Sequence, residues 1–313
     1  MLKRAVTVVL PVFFLWLPCR TLAWTAPIEK NHHQGTASLR FHVGSHSRHC
    51  ACRVTTTTTT KSRLALARQI CTFEADDFGD TWPYDASSSD LRRMDESDDE
   101  RFYDQPRFVT HIDDAAIASL TEYYRDEFQR ILQQEKKKAR GDDGSSGSGD
   151  AIDVLDLCSS WISHLPTDVP LGRVAGVGMN EAELAANQQL TEYHVQNLNK
   201  KPQLEQFTDN SFDVICNVVS VDYLTKPLEI FREMYRILRP GGVAIVSFSN
   251  RMFATKAVNV WLQADDIGRL SIVGSYFYHS APWSLMEAWD LKPEPQKAPE
   301  RPSVKVCRAS PPF

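Results

Sequence analysis

From Lys30 to Phe73 the chain has no Asp or Glu at all, and that absence divides the sequence more sharply than any motif. Other absences narrow the function. No Gly-x-Gly-x-x-Gly follows a strand pattern, which disfavours a dinucleotide oxidoreductase. There is no excess of positive charge: the net charge of −5 argues against a nucleic-acid binder. The seven cysteines are few and scattered, with no disulfide-framework spacing. Cys19, Cys50, Cys52 and Cys71 fall in a region expected to be removed. Cys158, Cys216 and Cys307 lie in apolar, strand-like settings and read as small buried residues of a reducing compartment. His32, His33, His42, His46 and His49, with Cys50 and Cys52, show no coherent metal-ligand spacing, so no metal site is expected.

The apolar run Ala5 to Leu17 follows Lys3 and Arg4 and is too short to span a bilayer comfortably. It has the layout of a secretory signal peptide, 1–23, with cleavage after Ala23. The segment 24–73 is acid-poor, basic and rich in Ser and Thr, the composition of a transit peptide. Signal plus transit segment, with Trp24 just after the junction, resembles the bipartite plastid leader of algae with secondary plastids. The expected location is the plastid, with ordinary secretion as the alternative and no stable membrane insertion after processing.

Composition reverses at Glu74. Residues 74–105 are acidic and low in complexity around Ser87–Ser89 and Asp95–Glu100, and read as a flexible linker. A single folded domain is expected over 106–313. Its first helix is capped by Asp113 or Asp114, with Ile117, Leu120, Tyr124, Phe128, Ile131 and Leu132 on one face. It is expected to dissolve at Lys136–Lys138 into a low-complexity loop, 136–150.

From Ala151 onward apolar strands alternate with helical patterns. The strands are Ile152–Leu157, Arg173–Val177, Tyr193–Gln196, Val214–Val219 and Val243–Phe248. The turn Cys158-Ser159-Ser160 leads to Trp161 and Ile162, read as entering a helix. Asn180 caps the next helix, and Thr225 with Pro227 opens another with Leu228, Phe231, Met234, Ile237 and Leu238 inward. Helix is expected from Met252 to about Tyr278, with a break at Asp265-Asp266, then two strands, Trp283–Leu291 and Ser303–Arg308. The alternation predicts an α/β, doubly wound Rossmann-like sheet of seven strands, helices on both faces and an antiparallel closing hairpin. Ligands of such sheets bind at the carboxyl ends of the strands, where strand order reverses.

Asp209-Asn210-Ser211-Phe212-Asp213-Val214-Ile215, followed by a helix and Leu238-Arg239-Pro240-Gly241-Gly242, resembles the class I S-adenosylmethionine-dependent methyltransferases, most closely the type 11 group. The stretches PRFVTHIDDAAIASLTEYY, LDLCSSWISHLP and VVSVDYLTKPLEIFREMYRILRPGG are similar to a plant and algal subgroup, in agreement with a plastid address. The resemblance implies S-adenosyl-L-methionine as cofactor and a small-molecule methyl acceptor as partner, and it sets no oligomeric state. It places the cofactor among Asp156, Cys158, Ser159, Ser160, Gly178, Met179, Asn180, Asn197, Leu198 and Asn217.

The match has departures. Cys158, Ser160 and Ile162 stand where the family's first loop has glycines, and Gly178 stands where an acid holds the ribose, with Asn180 or Gln196 as weaker, neutral substitutes. Asn197 replaces the acid facing the adenine amino group, where its side-chain oxygen can accept that bond. No universal catalytic residue exists in this family. His164 is a candidate general base or a structural hydrogen-bonding group, and Tyr223 a candidate acceptor contact or a packing residue. Tyr123 and Tyr124 cap the site or pack the core; Asp222, Asn250 and Arg251 touch the acceptor or terminate elements. The degenerate loop leaves a second reading open, a non-catalytic methyltransferase-like binding or regulatory protein.

Overall fold

The protein's structure, a computed structural model, describes residues 36–43, 48–55, 67–84, 89–141, 150–291 and 304–312. The expected signal peptide, much of the transit-like segment and most of the low-complexity loop lie outside the described residues. Three N-terminal strands, β1 (Thr36–Val43), β2 (Arg48–Thr55) and β3 (Ala67–Thr72), precede a short helix α1 (Asp99–Phe102) and the long α2 (Asp114–Gly141). The alternating half follows. It comprises β4 (Ile152–Ser159), β5 (Leu171–Gly178), α3 (Glu181–Ala186), β6 (Glu192–Val195), β7 (Phe212–Val218), α4 (Pro227–Ile237) and β8 (Leu238–Phe248). The chain closes with α5 (Asn259–Gln263), α6 (Asp266–Ser280), β9 (Ser284–Leu291) and β10 (Val304–Ser310).

All described strands form one sheet in the order β1-β2-β3-β9-β10-β8-β7-β4-β5-β6. β6, β5, β4, β7 and β8 run parallel; β10 joins β8, and β9 joins β10, antiparallel. The doubly wound sheet and closing hairpin are therefore present as expected, but the described sheet has ten strands rather than seven, because β1 to β3 extend it beyond β9. Val154, Leu155, Val214, Ile215, Ala244 and Ile245 are fully buried, because the central strands are covered on both faces. Strand order reverses between β5 and β7, on either side of β4.

One face is covered by α2. Ala116, Leu120, Tyr123, Tyr124, Phe128 and Ile131 pack on Ile152, Val154, Val174, Val214, Val243 and Ile245. Tyr123 and Tyr124 are thus core residues and not caps of the site. Asp113 caps α2, its Oδ1 accepting from the Ala116 backbone N–H at 2.9 Å. The helix continues through the lysines to Gly141, three residues past Lys138, because Lys, Ala and Arg are good helix formers and cations suit a helix C-terminus. The other face is covered by α4 and α6, with Phe231, Met234, Ile237, Ile272, Tyr276 and Phe277 against Leu155, Ile215 and Val246.

Several expectations are corrected. No helix follows β4: residues 160–170 form an irregular crossover to β5. Pro166 and Pro170 lack donors and push their preceding residues out of the helical region, and α2 already fills that face. Lys226, not Thr225, is the N-cap of α4, without a side-chain bond. Helix resumes at Asn259 rather than Met252, while Asp265 caps α6 through the Gly268 N–H. The boundary placed at Phe73 falls inside packed structure: β3 pairs antiparallel with β9, and Cys71 and Phe73 are buried. Cys71 is disulfide-bonded, whereas Cys158, Cys216 and Cys307 are free.

The described parts of the expected linker, residues 74–84 and 89–105, are packed and not solvated. Phe78 stacks on Tyr278 at 4.8 Å, and Trp82 meets Tyr276 at 5.9 Å. Further on, the Asn259 N–H donates to the Arg92 carbonyl, the Val260 N–H to that of Asp90, and the Asp95 N–H to that of Thr255. The acidic stretch is a strap laid across the carboxyl ends of the strands.

Candidate functional site

A cavity of about 570 Å³ opens at the carboxyl ends of β4 through β8, where the sheet's topology places ligands. Its floor and walls include Asp156, Cys158, Ser159, Ser160, Gly178, Met179, Asn180, Asn197, Leu198, His164 and Tyr223. Asn217 stands behind the wall: its Nδ2 donates to the Leu157 carbonyl at 3.1 Å and ties β7 to β4.

Asp156 is buried at the end of β4 and organises the turn beyond it. Ser159 Oγ and Ser163 Oγ both donate to its Oδ2 at 2.6 Å. Asn187 Nδ2 in turn donates to Ser163 Oγ at 2.8 Å and to the Ser160 carbonyl at 2.9 Å. Burial raises the Asp156 carboxyl to about 6, with the two serine bonds opposing the shift. Cys158 adopts a left-handed φ of 61°, so the first glycine place keeps a glycine-like conformation without the glycine. Burial pushes its thiol up to about 12, which removes it as a nucleophile.

Gly178 cannot be replaced by the missing acid. An ideal Cβ there would lie 2.2 Å from the Ser159 carbonyl oxygen, so the turn after β4 closes onto the end of β5. The acid that does reach this wall is Glu183, in the first turn of α3. It is buried, accepts from Ser160 Oγ at 2.6 Å through Oε2 and from the Arg107 backbone N–H at 2.6 Å through Oε1. Asn180 caps α3 through Oδ1, and its Nδ2 donates to the Tyr103 and Asp104 carbonyls. It serves the strap rather than standing free as a ribose partner. Asn197 Oδ1 accepts from the Asn199 and Lys200 backbone N–H groups, so the oxygen expected to face adenine already has local donors.

His164 is not helical; it sits in the crossover at φ 55°, with its carbonyl accepting from Thr121 Oγ1 at 2.9 Å. Its Nδ1 is buried without a hydrogen-bond partner. Burial, with His111 nearby, lowers its pKa to about 4, so the ring is neutral at neutral pH. The Tyr223 hydroxyl accepts from the Phe253 N–H at 2.8 Å and so fixes the segment after β8. Asp222 is buried behind it, raised to about 8 by burial. Asn250 and Arg251 reach the cavity wall. Val219, also on the wall, has φ 42°, an outlier for a β-branched residue and a mark of local strain.

The roof comes from residues that sequence reasoning left out. Arg93, Asp99, Tyr103, Arg107 and His111 all line the cavity. Arg93 Nη1 donates to both Asp99 oxygens at 2.8 and 2.9 Å, and Asn199 Nδ2 donates to Asp99 Oδ2 at 3.0 Å. Lys256, fully buried, lies 3.2 Å from Asp99 and donates to the Ser97 carbonyl at 2.7 Å. The signal available in the sequence was the mixture of arginine and aromatic residues in Arg101–Phe108, out of keeping with a solvated acidic spacer. Among the described residues no cluster of three or more His, Cys, Asp or Glu is arranged to hold a metal.

Residues 158–246 match the family model described as "Methyltransferase domain". A demethylmenaquinone methyltransferase of Listeria monocytogenes is 30% identical over 97 residues, 28% of this chain and 41% of that protein. A second Listeria protein of the same name, from Listeria welshimeri, is 28% identical over the same share of each. The chain thus spans well under half the length of the curated relatives it matches. Among solved structures, an S-adenosylmethionine dependent methyltransferase from Mesorhizobium loti is similar at 15% identity and a TM-score of 0.36, covering 51% of this chain and 91% of that one. Phosphoethanolamine N-methyltransferase 2 of Haemonchus contortus, in complex with S-adenosyl-L-methionine, is similar at 13% identity and a TM-score of 0.41, covering 68% and 60%.

Proposed function

We propose that the protein transfers a methyl group from S-adenosylmethionine to a small-molecule acceptor in the plastid. The observation that carries this reading is the roofed cavity. It is built at the switch point of the sheet, largely from residues of the matched domain. Its volume of about 570 Å³ lies within the range of small-molecule and cofactor sites. The residues present fit the cofactor, with one change. Asp156, Ser159 and Ser160 form the turn that would take the methionine part, and Asn197 with Leu198 would take the base. At the ribose position the closed contact of Gly178 with Ser159 excludes an acid, and Glu183 is the carboxylate that remains on that wall.

When bound, S-adenosylmethionine supplies an electrophilic methyl group on a sulfonium. The chain's part is alignment and proton handling. Asp156 orders the turn through two serines. The strap and Phe253 form part of the wall over the cavity and help to orient what binds there. His164, a neutral ring on the wall, is the candidate general base carried over from the sequence; burial lowers its pKa to about 4, which makes it a weak one. Tyr223 positions the segment after β8.

Calorimetric titration of S-adenosylhomocysteine into the purified full chain tests the reading. Micromolar binding supports it. Absence of binding at millimolar ligand in a folded protein overturns it in favour of a non-catalytic scaffold, the reading that the closed Gly178 wall and the engaged Asn197 oxygen favour. The plastid address rests on the leader composition; a fusion of residues 1–73 to a fluorescent reporter should enter plastids, and secretion or cytosolic retention overturns it.

A further inference from the structure

The cavity wall carries three acids and three arginines, but they do not all pair with one another. The acids are Asp99, Asp156 and Glu183, and each is engaged by the protein itself. Asp99 is held by Arg93, Asn199 and Lys256, Asp156 by two serines, and Glu183 by Ser160 and the Arg107 N–H. The cations on the wall are Arg93, Arg107 and Arg251. Arg93 is committed to Asp99, and Arg251 is exposed.

Arg107 differs from both. It is half-buried, and its guanidinium carbon lies 4.6 Å over the Phe102 ring, 5.5 Å from that of Phe253 and 5.7 Å from that of Tyr103. Nη2 donates to the Phe102 carbonyl at 2.8 Å, and the backbone N–H is fixed on Glu183. The side chain is therefore pre-positioned by three rings and one hydrogen bond, on a backbone held by Glu183. Among the described residues, no carboxylate pairs with its guanidinium. A guanidinium carries five donors, and most of these remain for a ligand. A half-buried, oriented and unpaired arginine on a cavity wall matches a carboxylate, which it can bind through two parallel hydrogen bonds.

We propose that Arg107 is the carboxylate-binding group of this cavity. Two sources offer that chemistry, the carboxylate of the cofactor's methionyl part and a carboxylate on the acceptor. The identity of the ligand rests on the methyltransferase reading; the presence of an oxyanion subsite does not.

The experiment is a ligand-by-variant cycle with the full chain. S-adenosylhomocysteine and methylthioadenosine share the nucleoside and the thioether, but only the first has the amino-acid carboxylate. Both are titrated into wild type, Arg107→Ala and Arg107→Lys, and benzoate is titrated into each protein free and with methylthioadenosine bound. Circular dichroism and thermal melts confirm that the variants fold. If the anion is the cofactor's, Arg107→Ala weakens S-adenosylhomocysteine 10- to 100-fold while methylthioadenosine stays within twofold, and Arg107→Lys recovers part of the loss. If it is the acceptor's, both nucleosides are unchanged and benzoate binding is lost in the alanine variant. Equal weakening of the two nucleosides, or no change in any ligand, overturns the proposal. Should wild type bind neither nucleoside, the methyltransferase reading fails, and benzoate on the free protein still decides Arg107.

Discussion

The carbonyl oxygen of Ser159 fills the space in which a side chain at position 178 would begin, 2.2 Å from an ideal Cβ on Gly178. The end of β5 and the turn after β4 are in backbone contact there, where a carboxylate would otherwise stand between them. Gly178→Ala should therefore force the turn outward. Overpacking of this kind costs about 1–3 kcal/mol, read by urea unfolding. If the turn holds the cofactor, affinity for S-adenosylhomocysteine should fall in the same variant. A neutral outcome in both measurements would show that the turn yields freely.

Asp156 and Asp222 should make stability fall as pH rises. Both carboxyls are raised in the folded state, to about 6 and about 8, from 3.8. An acid with a raised folded pKa contributes stability that is fully present below its unfolded pKa and lost as pH rises through the folded one. Asp156 thus acts between about pH 4 and 6, and Asp222 between about 4 and 8. Asp222→Asn should flatten the stability profile across its window and raise stability at pH 8 by an amount on the order of 2–5 kcal/mol. Asp156→Asn should flatten only the lower part. Denaturant unfolding at several pH values checks both, and an unchanged slope between pH 6 and 8 in Asp222→Asn would rule out the assignment.

Asp99 holds the roof. Its replacement by Asn leaves Arg93 and Lys256 buried without their shared anion. Breaking a buried pair in this way costs about 3–5 kcal/mol. Because the same carboxylate ties the strap to Asn199, proteolysis within residues 89–110 should also accelerate in Asp99→Asn. Lys256→Met, which removes a cation and leaves Arg93 on Asp99, should cost less.

The strand before Glu74, β3, belongs to the folded unit. Phe73 is buried against Phe78 at 5.6 Å, and its N–H donates to the Met286 carbonyl at 2.8 Å. Phe73→Ala should cost about 3–5 kcal/mol in urea unfolding. A chain starting at Glu74 should be less stable than one starting at Arg63. Equal stability would return β3 to the leader.

These cases show which parts of the molecule were legible in the sequence. Val214 to Cys216 and Val243 to Val246 read as strands because a doubly covered strand is apolar on both faces, a signal contained in the residues themselves. The turn at Cys158–Ser160 and the wall at Gly178–Asn180 followed from topology, since strand ends make the site. Trp161 and Ile162 misled, because the local pattern permits a helix and only Pro166, Pro170 and the competing α2 exclude it. The strap was hidden for a different reason. Its acids look solvated in sequence, yet Asp99 meets Lys256 and Asp98 meets Lys200, partners far away along the chain. Charge pairing over such separations leaves no local pattern. Glu183 leaves no local pattern for the same reason; its partners Arg107 and Ser160 lie on other elements.

The placement of α2 and the strap ahead of the parallel strands β4 to β8 has a consequence for synthesis. Both leave the ribosome before any of β4 to β8, the surfaces they cover. Until Lys256 emerges, Asp99 lacks one of its cations, and until β7 and β8 emerge, Leu120, Tyr124 and Phe128 have only part of their floor. Folding in step with translation is therefore not open to the cavity: its roof is made first and waits for its walls. The nascent chain stays unfinished until nearly all of it is available.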